Sequence, residues 1–265
     1  MIIQPNVAGK FYPDNPAVLR QDILNMLGDA ADKANLPLPK AIIAPHAGYI
    51  YSGPIAASAY ACLAKSKNQI KRVVLFAPAH RYPVDGVATT NAKSYLTPLG
   101  QIAIDQETIS SLSFPYLNAI EEAFSSEHAV EVHLPFLQLT LGSFLLVPLL
   151  VGRAAVSEVE NILEKLWDGP ETLVVISSDL SHYHPYKLAQ TWDKNTAEAI
   201  IELNPDGFSD EHACGATAIK ALLNVAAKKK MRALQVDLRN SGDTAGSKDS
   251  VVGYGAFHFD IYEQL

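Results

Sequence analysis

Residues 42–53 read Ile42-Ile43-Ala44-Pro45-His46-Ala47-Gly48-Tyr49-Ile50-Tyr51-Ser52-Gly53. The apolar run Ile42-Ile43-Ala44 has the character of a buried strand, Pro45 interrupts it, and His46 stands at its tip. Gly48 and Gly53 bracket two tyrosines, and Pro54 suits the first turn of a following helix. A strand that ends in such a residue and turns into a helix is how open α/β proteins build sites beyond the carboxyl ends of their strands. The same unit recurs in Leu75-Phe76-Ala77-Pro78-Ala79-His80 and again in Val174-Val175-Ile176-Ser177-Ser178-Asp179-Leu180-Ser181-His182. Three strand ends are therefore expected to deliver His46, His80 and His182 to one cleft.

Outward from these strands, helical and extended patterns alternate. Val7 to Pro13 reads as extended, and Asp14 or Asn15 can cap a helix that opens with Pro16 and carries Leu19, Ile23 and Leu27 on one face. Further strands are expected at Val84–Thr90, Leu99–Ile104, Phe144–Val151, Ala233–Leu238 and Val251–Phe259. Helices are expected over Ile55–Ala64, from Ser125-Ser126 through Leu141 with a kink at Pro135, and over Ser157–Leu166, Leu188–Leu203 and Ala213–Ala227. No linker, repeat or low-complexity tract divides them. The pattern predicts one α/β domain spanning 1–265, with a mixed sheet layered between helices.

The totals narrow the function classes. A net charge of −7 argues against a general nucleic-acid binder. The one basic cluster, Lys228-Lys229-Lys230 with Arg232, reads as cations complementing a helix C-terminus. No signal peptide is expected, because Met1-Ile2-Ile3-Gln4-Pro5 has no basic n-region and leads into no long apolar run, and no membrane span, since Phe144–Val151 is short and holds Pro148. The two cysteines, Cys62 and Cys214, make no disulfide framework, and the expected location is the cytoplasm.

Chemistry concentrates on histidines. Taken singly, His46 or His80 reads as a loop residue bonded to backbone; two in matching contexts point to ligands for a first-row metal. Cys214 precedes Gly215 at a helix start, where the helix dipole lowers a thiol pKa, and it is the expected third ligand. The alternative is a cysteine packed against the sheet. Asp179 lies three residues before His182 and suits a carboxylate that orients a catalytic base. His128, near the start of a helix that also holds Glu127, Glu131 and His133, is a further candidate for the cleft. Tyr49 and Tyr51 are candidates for its wall. A hydrolase built on Cys214 or Ser181 with His182 and Asp179 is a weaker alternative, because no nucleophile elbow is present.

The blocks VAGKFYP (7–13), PHAGYIYSG (45–53), APAH (77–80), EHAVEVHLPF (127–136), SSDLSH (177–182), CG (214–215), NSGDT (240–244) and VVGYG (251–255) resemble the Memo family over nearly the whole length. The resemblance implies the fold of the extradiol ring-cleaving dioxygenases, whose nonhaem iron is held by two histidines and a carboxylate. It implies His46 and His80 as metal ligands, Cys214 in place of the carboxylate, and His182 with Asp179 as catalytic. Iron or copper is the implied metal, and zinc fits the same donors. The prokaryotic branch is associated with an AMMECR1-like protein and a radical-SAM protein, which are the expected partners, beside an unknown small-molecule or peptide ligand. The softer cysteine favours Cu(I) or Zn(II) over iron poised for oxygen chemistry. A metal-dependent oxidoreductase and a non-catalytic assembly module that reuses the cleft both follow as expectations.

Overall fold

The computed structural model describes residues 1–67, 69–167 and 169–261. Its strands are β1 (Ile2–Ile3), β2 (Ala41–Ala44), β3 (Arg72–Pro78), β4 (Val87–Thr89), β5 (Ser94–Thr97), β6 (Gly100–Ile104), β7 (Leu117–Ala119), β8 (Leu145–Val151), β9 (Thr172–Ser177), β10 (His182–His184), β11 (Met231–Asn240) and β12 (Val251–Ile261). The helices between them are α1 (Pro16–Asp29), α2 (Tyr49–Tyr60), α3 (Gln106–Ser111), α4 (Glu121–Phe124), α5 (Leu134–Leu141), α6 (Val156–Leu166), α7 (Tyr186–Ile201) and α8 (Ala216–Lys228).

The sheet is mixed, with the order β1-β5-β6-β8-β3-β9-β2-β12-β10; β11 pairs with β12, and β4 bridges β7 and β8. Its centre is parallel from β6 through β8, β3 and β9 to β2, with registers such as Phe76↔Ile176 and Ile43↔Ile176. β12 then runs antiparallel to β2. Strands buried on both faces need continuous apolar sequence, which Val73-Val74-Leu75-Phe76 and Leu173-Val174-Val175-Ile176 supply, all with no accessible surface. Each such side chain removed from water contributes on the order of 1.5–3 kcal/mol.

Pro148 shows how a proline survives in a central strand. On one edge of β8, β6 stops at Leu146 and β4 begins at Leu150. The Pro148 carbonyl points to that edge, accepting from Thr89 Oγ1 at 3.2 Å, so the missing N–H faces a gap in the ladder.

Helix starts differ from expectation at two places, both set by proline or glycine. α2 begins at Tyr49 behind Gly48, so Pro54 lies inside the helix rather than at its first turn. The single helix expected from Ser125 to Leu141 is broken. Glu131–His133 form a 3₁₀ turn and α5 starts at Leu134, with Pro135 in its first turn. Proline has no N–H and its ring crowds the carbonyl four residues back; α2 accommodates this at Pro54, whereas at Pro135 the chain resolves it by breaking at the 131–133 turn and restarting as α5. The strands Ser94–Thr97 and Leu117–Ala119 were not expected; both are short and lack strong alternation.

α1 is capped as its sequence predicts, with Asn15 Oδ1 accepting from the Ala17 and Val18 amides. In the basic cluster, Lys228 Nζ sits 2.8 Å from Glu164 on α6 and Arg232 pairs with Asp260. No helix among the described residues is long and apolar enough to cross a membrane.

Candidate metal centre

Three adjacent parallel strands build the floor of one cleft. β3 leads to His80, β9 to Asp179 and β2 to His46, and β9 lies between the other two. The two histidines thus approach from either side of the turn after β9, with ring centroids 5.1 Å apart. His128 enters from the loop after α4, 5.5 Å from the His46 ring and stacked at 5.2 Å on His80. Among the described residues, His46, His80 and His128 form the group of metal-type donors whose ligand atoms all lie within 4.8 Å of one another.

Two of the rings are oriented from behind. His46 Nδ1 lies 2.7 Å from Ser177 Oγ, and its backbone N–H donates to Asp179 Oδ1 at 2.8 Å. His80 Nδ1 lies 3.0 Å from Glu127 Oε1, and its backbone N–H donates to Glu127 Oε2 at 2.6 Å. With Nδ1 engaged, Nε2 is the atom each ring has left for a ligand. Glu127 Oε1 also accepts the amides of His128 and Ala129, at 2.9 and 3.0 Å.

The electrostatics favour neutral rings at His46 and His128 beside an ionised carboxylate at Glu127. Burial pulls His46 below the usual histidine range, and His80 and His128 add to the effect. Burial also pulls His128 down, against the opposing charge of Glu127. For Glu127 burial alone would raise the pKa, but hydrogen bonds from His80 and from the Ala129 and His80 amides hold it at about 2. Neutral imidazole is the form that binds a metal.

Cys214 touches this group. Its Sγ is 3.4 Å from His46 Nε2 and accepts the Asp179 N–H at 3.3 Å. The contact depends on Gly215: a Cβ there would meet Ser177 O at 2.7 Å and Ser178 Cβ at 2.8 Å. Ser178 Oγ accepts the Gly215 N–H at 2.9 Å and so ties the start of α8 to the end of β9. The expected lowering of the thiol pKa is reversed. Burial, reinforced by Asp179, pushes the Cys214 thiol up to about 12. α8 starts at Ala216 behind Gly215, so Cys214 lies before the helix cap, and burial there outweighs any lowering by the dipole.

The cleft encloses about 670 Å³ and is lined by Lys10, Phe11, Tyr51, Arg81 and His182, with residues of the 241–250 loop opposite. His182 opens β10, paired to Val252. Asp179 is buried, which raises its carboxyl. Its Oδ1 serves the His46 amide, and among the described residues no hydrogen bond joins it to His182. Tyr51 lies on the wall, whereas Tyr49 turns inward, donates to Val132 O at 2.7 Å and packs on Phe136. Tyr183, at the rim, is 76% exposed and held at a φ of 59°. Sequence reasoning assigned no role to Glu127 or Ser177. Glu127 stands beside His128, but nothing local shows that it reaches His80, 47 residues away.

A family model described as "Memo-like protein" matches residues 4–258. This chain belongs to the Memo family. It is similar to a MEMO1 family protein of Ignicoccus hospitalis, 33% identical over 98% of this chain and 99% of that one. MEMO1 family proteins of Methanosarcina barkeri and Methanopyrus kandleri are 33% and 34% identical, each over 96% of this chain and 98% of the relative. In this chain the strand-end cleft carries His46, His80 and His128, with Cys214 Sγ 3.4 Å from His46 Nε2.

Proposed function

We propose that this Memo cleft holds iron or copper, with zinc as the alternative ion, and serves a metal-dependent oxidoreductase of dioxygenase-like type. The supporting observation is the convergence of three imidazoles with ligand atoms within 4.8 Å and a thiol 3.4 Å from one of them. His46 and His80 would hold the ion through Nε2, with Cys214 Sγ and His128 as the further donors. Iron or copper there would supply redox chemistry, whereas zinc would supply Lewis acidity alone. Around it, Glu127 keeps the His80 ring oriented, His182 stands in the cleft to hold or move a proton, and Tyr51 and Phe11 shape the wall. Because the Cys214 thiol must lose its proton to bind, affinity through it rises with pH.

Anaerobic titration with Co(II) tests the reading. The expected result is saturable binding with a sulfur-to-cobalt absorption band that disappears in Cys214→Ala, and loss of binding in His46→Ala/His80→Ala. No binding by the wild-type protein would overturn it. Binding without the sulfur band, weakened by His128→Ala, would assign the third donor to His128.

A second reading is favoured by the rim, where Ile50 and Tyr183 are 67% and 76% exposed. On this reading the cleft is a binding module for an AMMECR1-like or radical-SAM partner. Its mark is partner capture unaffected by His46→Ala/His80→Ala and weakened by Tyr183→Ala.

A further inference from the structure

Behind His46 lies a line of buried polar groups that the proposed chemistry does not use. Ser177 Oγ is 2.7 Å from His46 Nδ1, 2.8 Å from His133 Nε2 and 2.7 Å from Ala129 O. His133 Nδ1 is in turn 2.7 Å from the Tyr60 hydroxyl. Ser177 and Tyr60 have no accessible surface, His133 has 1% and His46 has 2%, so every proton here is shared within the protein.

The donors and acceptors can be assigned without ambiguity. The Ala129 carbonyl only accepts, so the single Ser177 hydroxyl proton goes to it. Both remaining contacts of Ser177 Oγ must then be accepted, which requires a proton on His46 Nδ1 and one on His133 Nε2. Burial holds His133 below the usual range, so its ring is neutral and its Nδ1 is an acceptor. Tyr60, whose ionisation burial opposes, keeps its hydroxyl proton and donates it there. Every group is satisfied in one arrangement and in no other. The reversed arrangement would set two lone pairs facing each other at 2.7 or 2.8 Å and leave a buried carbonyl unpaired. The line ends at Tyr60 inside the core, with no outlet to solvent, so it holds protons in place rather than conducting them.

We infer that Ser177, His133 and Tyr60 are positioning residues that lock His46 in its Nδ1–H tautomer and thereby aim its Nε2 lone pair at the cleft. The inference builds on the metal reading for its purpose. It also sets an asymmetry: His80 is backed by the carboxylate of Glu127, His46 by a neutral hydroxyl whose own partners are neutral.

Long-range proton–nitrogen NMR of the metal-free protein, labelled with ¹⁵N at histidine, tests the lock. The expected wild-type result is a single Nδ1–H tautomer at His46 and a single Nε2–H tautomer at His133. Ser177→Ala should give mixed tautomers at His46 and a ten- to hundredfold loss of Co(II) affinity. Tyr60→Phe leaves Ser177 in place and keeps the test standing if Ser177→Ala fails to fold. It should keep the Nε2–H tautomer at His133, because Ser177 Oγ still accepts that proton, with less than a tenfold change in affinity. A wild-type His46 carrying its proton on Nε2 would overturn the lock, as would an unchanged single tautomer in Ser177→Ala. Mixed tautomers at His133 in Tyr60→Phe would overturn the assignment of Ser177 as the acceptor that fixes its Nε2 proton. The NMR needs no metal, so failure of Co(II) binding strikes the metal reading alone. Tight binding with a mixed wild-type tautomer strikes the lock alone.

Discussion

Glu127 joins two segments with one carboxylate: it accepts the His80 ring and amide on one side and the amides of its own neighbours His128 and Ala129 on the other. Its folded-state pKa of about 2 lies below the ordinary 4.5, so the native state favours the ionised form. The sign follows from linkage: a depressed carboxyl contributes stability that is full above the unfolded value and lost as pH falls through the folded one. The contribution is roughly 3 kcal/mol. In Glu127→Gln the acid limb of stability between pH 4.5 and 2 should flatten relative to wild type, as read by urea denaturation across that range. An equally steep limb would show that Glu127 is not ionised against His80. The same variant should lose ten- to hundredfold in metal affinity. At this scale the sequence was partly legible. His46 and His80 stood out because each follows an apolar run into a small or proline residue. The groups that orient them did not, because Ser177 is 131 residues from His46 and Glu127 is 47 from His80, and only the sheet brings them together.

Elements carry the next set of constraints. In the loop before the 3₁₀ turn, Glu127 reaches the His80 ring and His128 lines the cleft, while His133 at the end of that turn reaches Ser177. The sequence pattern suggested one helix from Ser125 to Leu141 kinked at Pro135; the chain instead breaks into a 3₁₀ turn at Glu131–His133 and α5. The start of α8 is the second such point. Its approach to β9 is close enough that a methyl group at position 215 would meet Ser177 O at 2.7 Å. Gly215→Ala should therefore cost about 1–3 kcal/mol, seen as a lower urea midpoint with unchanged m-value. It should also weaken cobalt binding through sulfur, because α8 carries Cys214 away from His46 as it shifts. Unchanged stability would mean that the α8–β9 approach is looser than described. Strand and helix identities read well where apolar runs were long, as in β3, β8 and β9. They read poorly in β5 and β7, whose partners rather than their own composition make them strands. The same limit applied to Cys214: its place before α8 was readable, but its burial beside Asp179, which reverses the expected thiol shift, was not.

On the scale of the whole molecule, the parallel run β8-β3-β9-β2 gathers the carboxyl ends of its strands on one side, and the cleft opens there, as the rule for open α/β sheets requires. The mixed sheet between helices was legible from alternating patterns because long buried strands tolerate little else. A ligand that binds only the folded arrangement must stabilise it by mass action. At a free metal concentration of 100 times Kd the gain is about 2.7 kcal/mol, or roughly 5–10 °C in melting temperature for a chain of this size. Thermal scans should show this gain in wild type and none in His46→Ala/His80→Ala; equal gains in both would place the ion elsewhere.

The most direct measurement is metal content together with X-ray absorption of protein loaded anaerobically with Fe(II) or Cu(I), compared with the same double variant. One ion per chain with imidazole nitrogen scattering is expected, with loss of both in His46→Ala/His80→Ala. A wild-type protein that retains no ion, or a double variant that retains it with the same scattering, would contradict the account.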